Sequence, residues 1–208
     1  MINKLKQLAK TLEGDLFFDK MIKTLYATDA SSYREFPLAV AIPKTQQDIA
    51  KLIQFASTHQ TSLIPRTAGT SLAGQVVGSG IVVDVSKHFN KILELNKEQG
   101  WVRVEPGVIR DELNMFLQEH GLFFGPETST ANRAMVGGMV GNNSCGSNSV
   151  VYRSTREHLL EVKAFLSDGT QAVFSSVSTD AFHQKCDLNT LEGNIYRSMR
   201  AMLSNYEN

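Results

Sequence analysis

The stretch Pro65-Arg66-Thr67-Ala68-Gly69-Thr70-Ser71-Leu72-Ala73-Gly74-Gln75 lies between two short apolar runs, residues 61–64 and 81–85. Both runs are predicted to be buried strands. A loop between two strands is held rigidly, and its glycines let backbone N–H groups come close to a ligand. Its hydroxyl groups add hydrogen-bond donors, and Arg66 adds positive charge. The stretch therefore predicts a phosphate-binding loop, although an ordinary turn of small residues has the same composition.

The spacing of this loop excludes two common nucleotide motifs. A Walker A motif needs a lysine after its second glycine, whereas Gln75 follows Gly74. The Rossmann fingerprint is excluded as well, because Gly69, Gly74 and Gly78 have the wrong spacing. If the loop binds phosphate, it does so in a different geometry.

A second stretch of small residues covers residues 136–149, Val-Gly-Gly-Met-Val-Gly-Asn-Asn-Ser-Cys-Gly-Ser-Asn-Ser, and it is predicted to be a loop. Such a composition cannot form a hydrophobic core by itself. A purely structural loop is one explanation. The other is a backbone that passes close to a flat or phosphorylated ligand. Because 65–75 and 126–146 occur in one chain, we expect a single large cofactor between them.

The composition of the chain limits the partners and the cellular compartment that can be expected for it. The 208 residues carry 21 basic and 21 acidic side chains, so no basic face for nucleic acid is indicated. The sequence shows no signal peptide and no apolar run of membrane-spanning length, and a cytosolic location is expected. Cys145 and Cys186 form no CxxC pair, so neither zinc nor a disulfide is expected. The histidines lack ligand spacing, and surface or capping roles are expected for His59, His88, His120, His158 and His183.

Hydrophobic periodicity predicts a mixture of helices and strands. Helices are expected at about 3–13, after Thr45 to about 56, from Asp111 to about 121 and at 191–203. Strands are expected at 38–42, 61–64, 81–85, 92–95, 101–104, 160–166 and 172–174, with a hairpin turn at 167–170. Residues 17–36 show a mixed pattern. The order of elements predicts an α+β fold with a small parallel or mixed sheet, a larger antiparallel sheet and flanking helices.

Several of these segments together resemble a known family. They are the loop Pro65–Gly74, the turn Pro106-Gly107-Val108, Gly125-Pro126-Glu127, and Gly137-Gly138 followed by Asn142-Asn143-Ser144-Cys145-Gly146. The set resembles the PCMH-type FAD-binding domain of the vanillyl-alcohol oxidase superfamily. The nearest likeness is the FAD-linked oxidase branch that contains the glycolate oxidase D subunit, D-lactate dehydrogenase and D-2-hydroxyglutarate dehydrogenase.

The resemblance implies an α+β domain of two subdomains, with FAD in the cleft between them. It implies an N-terminal helix in residues 1–20 and an FAD-binding domain in 21–208, divided into subdomains 21–95 and 96–208. The loop that holds the pyrophosphate would be Arg66, Thr67, Ala68, Gly69, Thr70 and Ser71. The opposite wall would be Pro126, Glu127, Thr128, Ser129, Gly137, Gly138, Asn142, Asn143 and Gly146.

The chain departs from its relatives in two ways. Tyr152-Arg153 stands where relatives usually show Tyr-Gly, and an arginine adopts a positive φ less readily than glycine. The relatives also continue into a substrate-binding cap domain, so we expect these 208 residues to be a fragment of a longer enzyme. The relatives' catalytic and substrate-binding groups lie in that later part, and the catalytic residues therefore stay unknown. No histidine occupies the loops that carry covalent flavin in some relatives, so non-covalent FAD is expected.

The resemblance implies oxidation of a D-2-hydroxy acid by hydride transfer to the flavin, with a quinone, a flavoprotein or a cytochrome as the electron acceptor. Alone, the fragment is expected to bind FAD and to turn over slowly or not at all. A cytoplasmic protein, or one peripheral to the inner membrane, is expected. Two alternatives stay open: a flavoenzyme like UDP-N-acetylenolpyruvoylglucosamine reductase, and a non-catalytic, flavin-free module of a multi-subunit oxidase.

Overall fold

The structure is a computed structural model, and it describes residues 1–206 of the chain. The chain folds into two compact units, residues 1–159 and residues 160–208. The division between subdomains near residue 95 that the resemblance implies falls inside the first unit, and it stays a prediction.

A four-stranded mixed sheet forms the base of the first unit. Its strands are β1 (Asp15–Phe17), β2 (Ala39–Ile42), β3 (Leu63–Arg66) and β4 (Ile81–Asp84), in the order β1-β2-β4-β3. The strands β2 and β3 both pair with β4 in parallel, while β1 pairs with β2 in antiparallel. The buried runs of β2 and β4 match the near-continuous apolar pattern of central parallel strands.

Three helices accompany this sheet: α1 (Ile2–Ala9), α2 (Lys20–Leu25) and α3 (Gln46–His59). Thr45 begins α3 with a capping box, in which its hydroxyl accepts from the Asp48 N–H and the Asp48 side chain accepts in return. The hydrophobic core contains side chains from α1, α3 and the sheet, with Leu5, Leu52 and Ile81 almost fully buried. Burying these side chains is the main stabilising contribution of this part of the fold.

The first unit continues with an antiparallel hairpin and a helix that cover a second core. Strands β5 (Ile92–Asn96) and β6 (Trp101–Val104) form the hairpin, and helix α4 (Arg110–Gln118) follows. Leu113 and Leu117 of α4 are buried together with Val108. Two short helices come next, α5 (Val136–Asn142) and α6 (Ser149–Tyr152), and then a 3-10 turn at Thr155–His158.

The second unit has a hairpin and two helices. Strands β7 (Glu161–Phe165) and β8 (Gln171–Ser175) pair in antiparallel, and helices α7 (Thr179–Cys186) and α8 (Leu191–Tyr206) follow. The ring of Tyr196 on α8 contacts the rings of Phe174 and Phe182. Aromatic contacts of this kind hold small hydrophobic cores together.

The predicted α+β class is confirmed, and most of the predicted strands and helices are present. Strands β5 to β8 form two separate antiparallel ladders of two strands each, where one larger antiparallel sheet was predicted. Some boundaries differ: α1 ends at Ala9, β3 extends to Arg66, and α8 continues to Tyr206. The mixed region 17–36 contains the last residue of β1 and the whole of α2, which are too short for a clear periodic signal. Helix α7 was not predicted.

Candidate functional site

Arg66 lies at the junction between β3 and the loop that follows, as the last residue of the strand. Its Nη1 donates a hydrogen bond to the backbone oxygen of Thr28 at 2.8 Å. Its guanidinium carbon lies 5.2 Å from the centre of the Tyr26 ring, which is within cation–π range. The sequence placed Arg66 in the loop itself, whereas the structure fixes its backbone in the sheet, opposite Asp84.

Gly69 folds back over the guanidinium group of Arg66. Its φ is 68°, a left-handed conformation that glycine adopts without steric cost. A Cβ atom at this position would come within 2.4 Å of Arg66 Nη2. Only glycine therefore allows the loop backbone and the guanidinium to lie this close together. Ala68, Thr70 and Ser71 are half-buried in the same loop, and the Ser71 hydroxyl bonds the Gln75 side chain at 2.7 Å.

The two stretches of small residues meet in the first unit. A Cβ atom on Gly138 would lie 2.7 Å from the hydroxyl oxygen of Thr67. At a second point, Gln75 Nε2 donates to Asn142 Oδ1 at 2.9 Å. These contacts cross more than sixty positions of sequence. The stretches 65–75 and 136–149 thus lie side by side, and the cofactor expected between 65–75 and 126–146 stays a prediction.

The second stretch is partly helical, and the prediction of a continuous loop was wrong. Residues Val136–Asn142 form α5, and Ser149–Tyr152 form α6. Gly137 packs so closely on Pro106 that a Cβ atom there would lie 2.4 Å from the Pro106 Cβ. Close packing of this kind overrides the low helix propensity of glycine. Because α5 carries small residues, its backbone approaches both Pro106 and Thr67.

The two asparagines at the end of α5 have different partners. Asn142 is exposed and bonds Gln75 of the first loop and the Ser144 hydroxyl. Asn143 has a left-handed backbone, φ 49°, and ends the helix. Its Oδ1 accepts from the Ser154 hydroxyl and from the Arg156 backbone N–H, both at 2.9 Å. Asn143 therefore has a structural role in holding the following 3-10 turn.

The segment 126–129 packs against the end of the second stretch. Pro126 is buried, and its carbonyl oxygen accepts from Arg110 Nε at 3.1 Å. The Glu127 carboxylate accepts from the side chains of Ser147 and Asn148. A Cβ atom on Gly146 would lie 2.4 Å from the Glu127 carbonyl oxygen, so glycine is required for this approach.

Among the predicted site residues, only Thr128 has a buried side-chain polar atom that makes no hydrogen bond within residues 1–206. Its Oγ1 is inaccessible to solvent and makes no hydrogen bond. Buried hydroxyl groups are nearly always paired, so this atom is suited to a partner from outside the chain. The neighbouring Ser129 is exposed.

Arg153 adopts a conformation that is nearly restricted to glycine, with φ 61° and ψ −160°. The resemblance to the family leads to the expectation of glycine at this position. The backbone N–H of Arg153 donates to the Ser149 oxygen, and the Tyr152 oxygen bonds His158 Nε2 at 2.7 Å. The surrounding hydrogen bonds therefore hold the strained residue in place.

Two side chains near the first loop, those of Tyr26 and Asp84, were not predicted from the sequence. Tyr26 and Asp84 lie beside Arg66, and their side chains bond each other at 2.6 Å. Pro106 supports Gly137. Only the Pro106-Gly107 turn carried a visible signal, because Tyr26 and Asp84 contact each other across 58 positions of sequence.

The family model described as "FAD binding domain" matches residues 37–175, which include both stretches and the segment between them. The chain belongs to this FAD-binding domain family. None of the helices in residues 1–206 combines the length and the apolar character needed to span a bilayer.

Individual relatives of this FAD-binding domain extend the comparison. A D-2-hydroxyglutarate dehydrogenase of Pseudomonas putida is 40% identical over 190 residues, which cover 90% of this chain and 19% of the relative. A mitochondrial D-lactate dehydrogenase (cytochrome) of Kluyveromyces lactis is 33% identical over 151 residues, which cover 71% of this chain and 26% of the relative. The chain thus spans 19–26% of the length of these two relatives.

A solved structure of alkyldihydroxyacetonephosphate synthase has the same fold as this FAD-binding domain. It superposes with a TM-score of 0.73 at 16% identity, over 85% of this chain and 35% of that chain. At this level of identity the likeness concerns the fold alone. It confirms the fold predicted for the PCMH-type FAD-binding domain.

The residues of the domain fit FAD as the cofactor. Gly138 of α5 is exposed and lies close to Thr67 of the first loop. Among residues 1–206, no carboxylate lies within 4.0 Å of the Arg66 guanidinium nitrogens, although Asp84 is its neighbour in the sheet. The unpaired Thr128 hydroxyl adds a polar group for a ligand. Positive charge, hydroxyl donors and exposed backbone are what a dinucleotide cofactor requires.

Proposed function

We propose that this chain is the FAD-binding part of a flavin-dependent dehydrogenase that oxidises a D-2-hydroxy acid of the glycolate, D-lactate or D-2-hydroxyglutarate class. The proposal that FAD is the cofactor rests on the close contact between Gly138 and Thr67, which places the two stretches of small residues side by side. The substrate class is supported by the 40% identity to a D-2-hydroxyglutarate dehydrogenase.

The residues of the chain bind and orient the cofactor in this proposal. Arg66 supplies positive charge to the pyrophosphate, and Thr67, Thr70 and Ser71 supply hydroxyl donors. The backbone from Pro126 to Ser129 and the α5 glycines form the opposite wall, and Thr128 Oγ1 donates to the cofactor. The bond between Gln75 and Asn142 joins the two walls.

The chemistry of oxidation divides between the cofactor and the protein. When bound, FAD supplies the acceptor for the hydride that leaves the carbon bearing the substrate hydroxyl. The proton of that hydroxyl passes to a base, and we assign no such base among residues 1–206.

The electron acceptor and the location are further parts of the proposal. We propose a quinone, a flavoprotein or a cytochrome as the acceptor, and the word "cytochrome" in the name of the Kluyveromyces lactis relative supports the last of these. We propose a cytoplasmic protein, or one peripheral to the inner membrane.

The two alternatives from the sequence have less support. The names of the relatives favour a hydroxy-acid dehydrogenase over an enzyme like UDP-N-acetylenolpyruvoylglucosamine reductase. A flavin-free module would have no need for an unpaired Thr128 hydroxyl or for an Arg66 guanidinium without an ion pair among residues 1–206. These groups favour a domain that holds its cofactor.

The cofactor part is tested by equilibrium dialysis of the 208-residue chain with FAD, followed by an absorption spectrum of the retained protein. We expect retained FAD for the wild-type chain and a dissociation constant at least about tenfold higher for Arg66→Ala, because a charge-assisted contact is lost. Arg200→Ala, on α8, removes the same charge elsewhere and is the matched control. Equal FAD retention by Arg66→Ala, or none by the wild type, would contradict the proposal.

The substrate class is tested on the whole gene product under anaerobic conditions. Glycolate, D-lactate and D-2-hydroxyglutarate are added separately, and the flavin absorbance is recorded. We expect bleaching by at least one of them and none by the L-enantiomers of the two chiral acids. Bleaching by NADPH and by none of the acids would instead favour the reductase alternative.

A further inference from the structure

A cluster of three side chains lies behind the first loop, and only Arg66 of the three was expected to have a function. Tyr26, Asp84 and Arg66 come from three separate segments of the chain. Asp84 ends β4 and lies opposite Arg66 in the parallel pair of strands. Within the cluster, Asp84 contacts Tyr26 and Tyr26 contacts Arg66.

Tyr26 is fixed by Asp84. Its hydroxyl donates to Asp84 Oδ2 at 2.6 Å, and the other carboxylate oxygen accepts from the Ser86 backbone N–H at 2.8 Å. The Asp84 side chain is only 7% exposed. Burial, reinforced by the hydrogen bond to Asp84, raises the pKa of Tyr26 far above its usual value, so its hydroxyl remains protonated as a donor.

Arg66 is fixed by Tyr26 and by its surroundings. The guanidinium group lies over the Tyr26 ring, bonds the Thr28 oxygen and supports Gly69. The carboxylate of Asp84 receives its side-chain hydrogen bond from Tyr26, although Arg66 is its neighbour in the sheet. Arg66 is thus restrained by neutral groups, and its charge is kept for a ligand.

We propose that Tyr26 and Asp84 are positioning residues that hold the Arg66 guanidinium against Gly69, in the place where it meets the pyrophosphate of FAD. This inference rests on the proposed function of the loop. Tyr26 and Asp84 act through Arg66 and need not touch the cofactor themselves. The Tyr26 ring sets the position of the guanidinium, and Asp84 sets the position of the ring.

The test is a double-mutant cycle on the FAD dissociation constant of the 208-residue chain, measured by quenching of flavin fluorescence. Tyr26→Phe removes only the hydroxyl that bonds Asp84. We expect it to raise the dissociation constant about fivefold in the wild-type background and less than about twofold in the Arg66→Ala background, because coupled residues are non-additive. Tyr33→Phe removes an exposed hydroxyl near the same loop, and we expect no change.

The outcomes separate the inference from the proposed function. If Arg66→Ala leaves FAD binding unchanged, the proposed role of the loop fails. If Arg66→Ala weakens binding but Tyr26→Phe has the same effect in both backgrounds, the positioning role fails and Tyr26 is only structural. Thermal unfolding of each variant shows whether it is folded. Should Tyr26→Phe fail to fold, Asp84→Asn enters the same cycle, and an equal effect in both backgrounds would overturn the inference.

Discussion

Gly138 of α5 faces Thr67 of the first loop so closely that a Cβ atom on the glycine would lie 2.7 Å from the threonine hydroxyl. Two segments about seventy positions apart are thereby brought into contact beside Arg66 and Gly69. The absence of one side chain determines how closely the two walls of the proposed FAD site approach each other.

Gly138→Ala is expected to weaken FAD binding. The added methyl group must displace Thr67, and overpacking of this kind costs about 1–3 kcal/mol, or roughly fivefold or more in the dissociation constant. Flavin fluorescence titration of the 208-residue chain measures the change. Gly141→Ala is the matched control, because Gly141 lies in the same helix and a Cβ atom there would meet nothing within 4 Å. A similar effect of both substitutions would contradict the role of the close contact.

Gly69→Ala is expected to disturb both the backbone and the position of Arg66. At φ 68° an alanine lowers the free energy of unfolding by about 1–2 kcal/mol. The new Cβ atom would also displace the guanidinium, so FAD binding should weaken. Gly100 has the same φ of 68° and open space around it. Gly100→Ala should therefore show the loss of stability in chemical denaturation without the loss of FAD binding, and equal binding defects would argue against the displacement of Arg66.

Local signals account for the parts of the fold that the sequence predicted. Thr45, three positions before Asp48, indicated the start of α3, and a capping box forms there. The turn that contains Asp168 and Gly169 indicated the second-unit hairpin, and the strands pair around it. Both signals lie within a few residues of the structure that they specify, so one sequence is enough to read them.

The parts that the sequence did not predict depend on distant contacts. Glycine has a low helix propensity, and nothing local indicates that Gly137 will pack on Pro106 within a helix. The bond between Tyr26 and Asp84 joins residues 58 positions apart. For the proposed FAD site, the sequence could therefore predict the role of a residue only where a local motif indicates that role.

Thr128→Val is expected to have opposite effects with and without FAD. Without FAD it removes a buried hydroxyl that has no partner in residues 1–206, so the free energy of unfolding should rise by about 1 kcal/mol. With FAD it should raise the dissociation constant, because the cofactor loses a donor. Thr155→Val is the contrasting variant: its buried hydroxyl already bonds the Ser144 oxygen at 2.7 Å, so the loss should be destabilising in both cases. Unchanged FAD affinity for Thr128→Val would remove Thr128 from the site.

Asp48 is expected to make the stability depend on pH in the acid range. Its buried carboxylate accepts from the backbone N–H groups of Glu13, Gly14 and Lys44. Burial alone would raise the pKa of Asp48, but these backbone donors together lower it below its usual value. The folded-state pKa is therefore below the unfolded-state pKa, and the stabilisation is complete above the unfolded value and is lost as the pH falls through the folded value.

Asp48→Asn should lower the free energy of unfolding at pH 7 by about 2–3 kcal/mol, since charge-assisted hydrogen bonds are lost. Urea denaturation at a series of pH values should show the gap to the wild type closing below about pH 4, where unfolded aspartate becomes protonated. Asp168 also has a lowered pKa, caused mainly by its hydrogen bond from the Thr170 hydroxyl, but it is exposed. Asp168→Asn is expected to change stability far less. A constant gap for Asp48→Asn across the pH series would rule out the charge as the cause.

Arg153→Gly is expected to stabilise the chain. Arg153 has φ 61° and ψ −160°, a region in which a side chain costs about 1–3 kcal/mol. Glycine relieves this strain but adds about 0.5–1 kcal/mol of entropy cost on folding, so a net gain of about 1 kcal/mol in the free energy of unfolding is expected. Gln60→Gly is the control, because Gln60 has φ 49° and ψ 47°, a milder left-handed conformation, and its gain should be near zero. Chemical denaturation compares the two variants, and a loss of stability for Arg153→Gly would mean that the arginine side chain has contacts that outweigh the backbone strain.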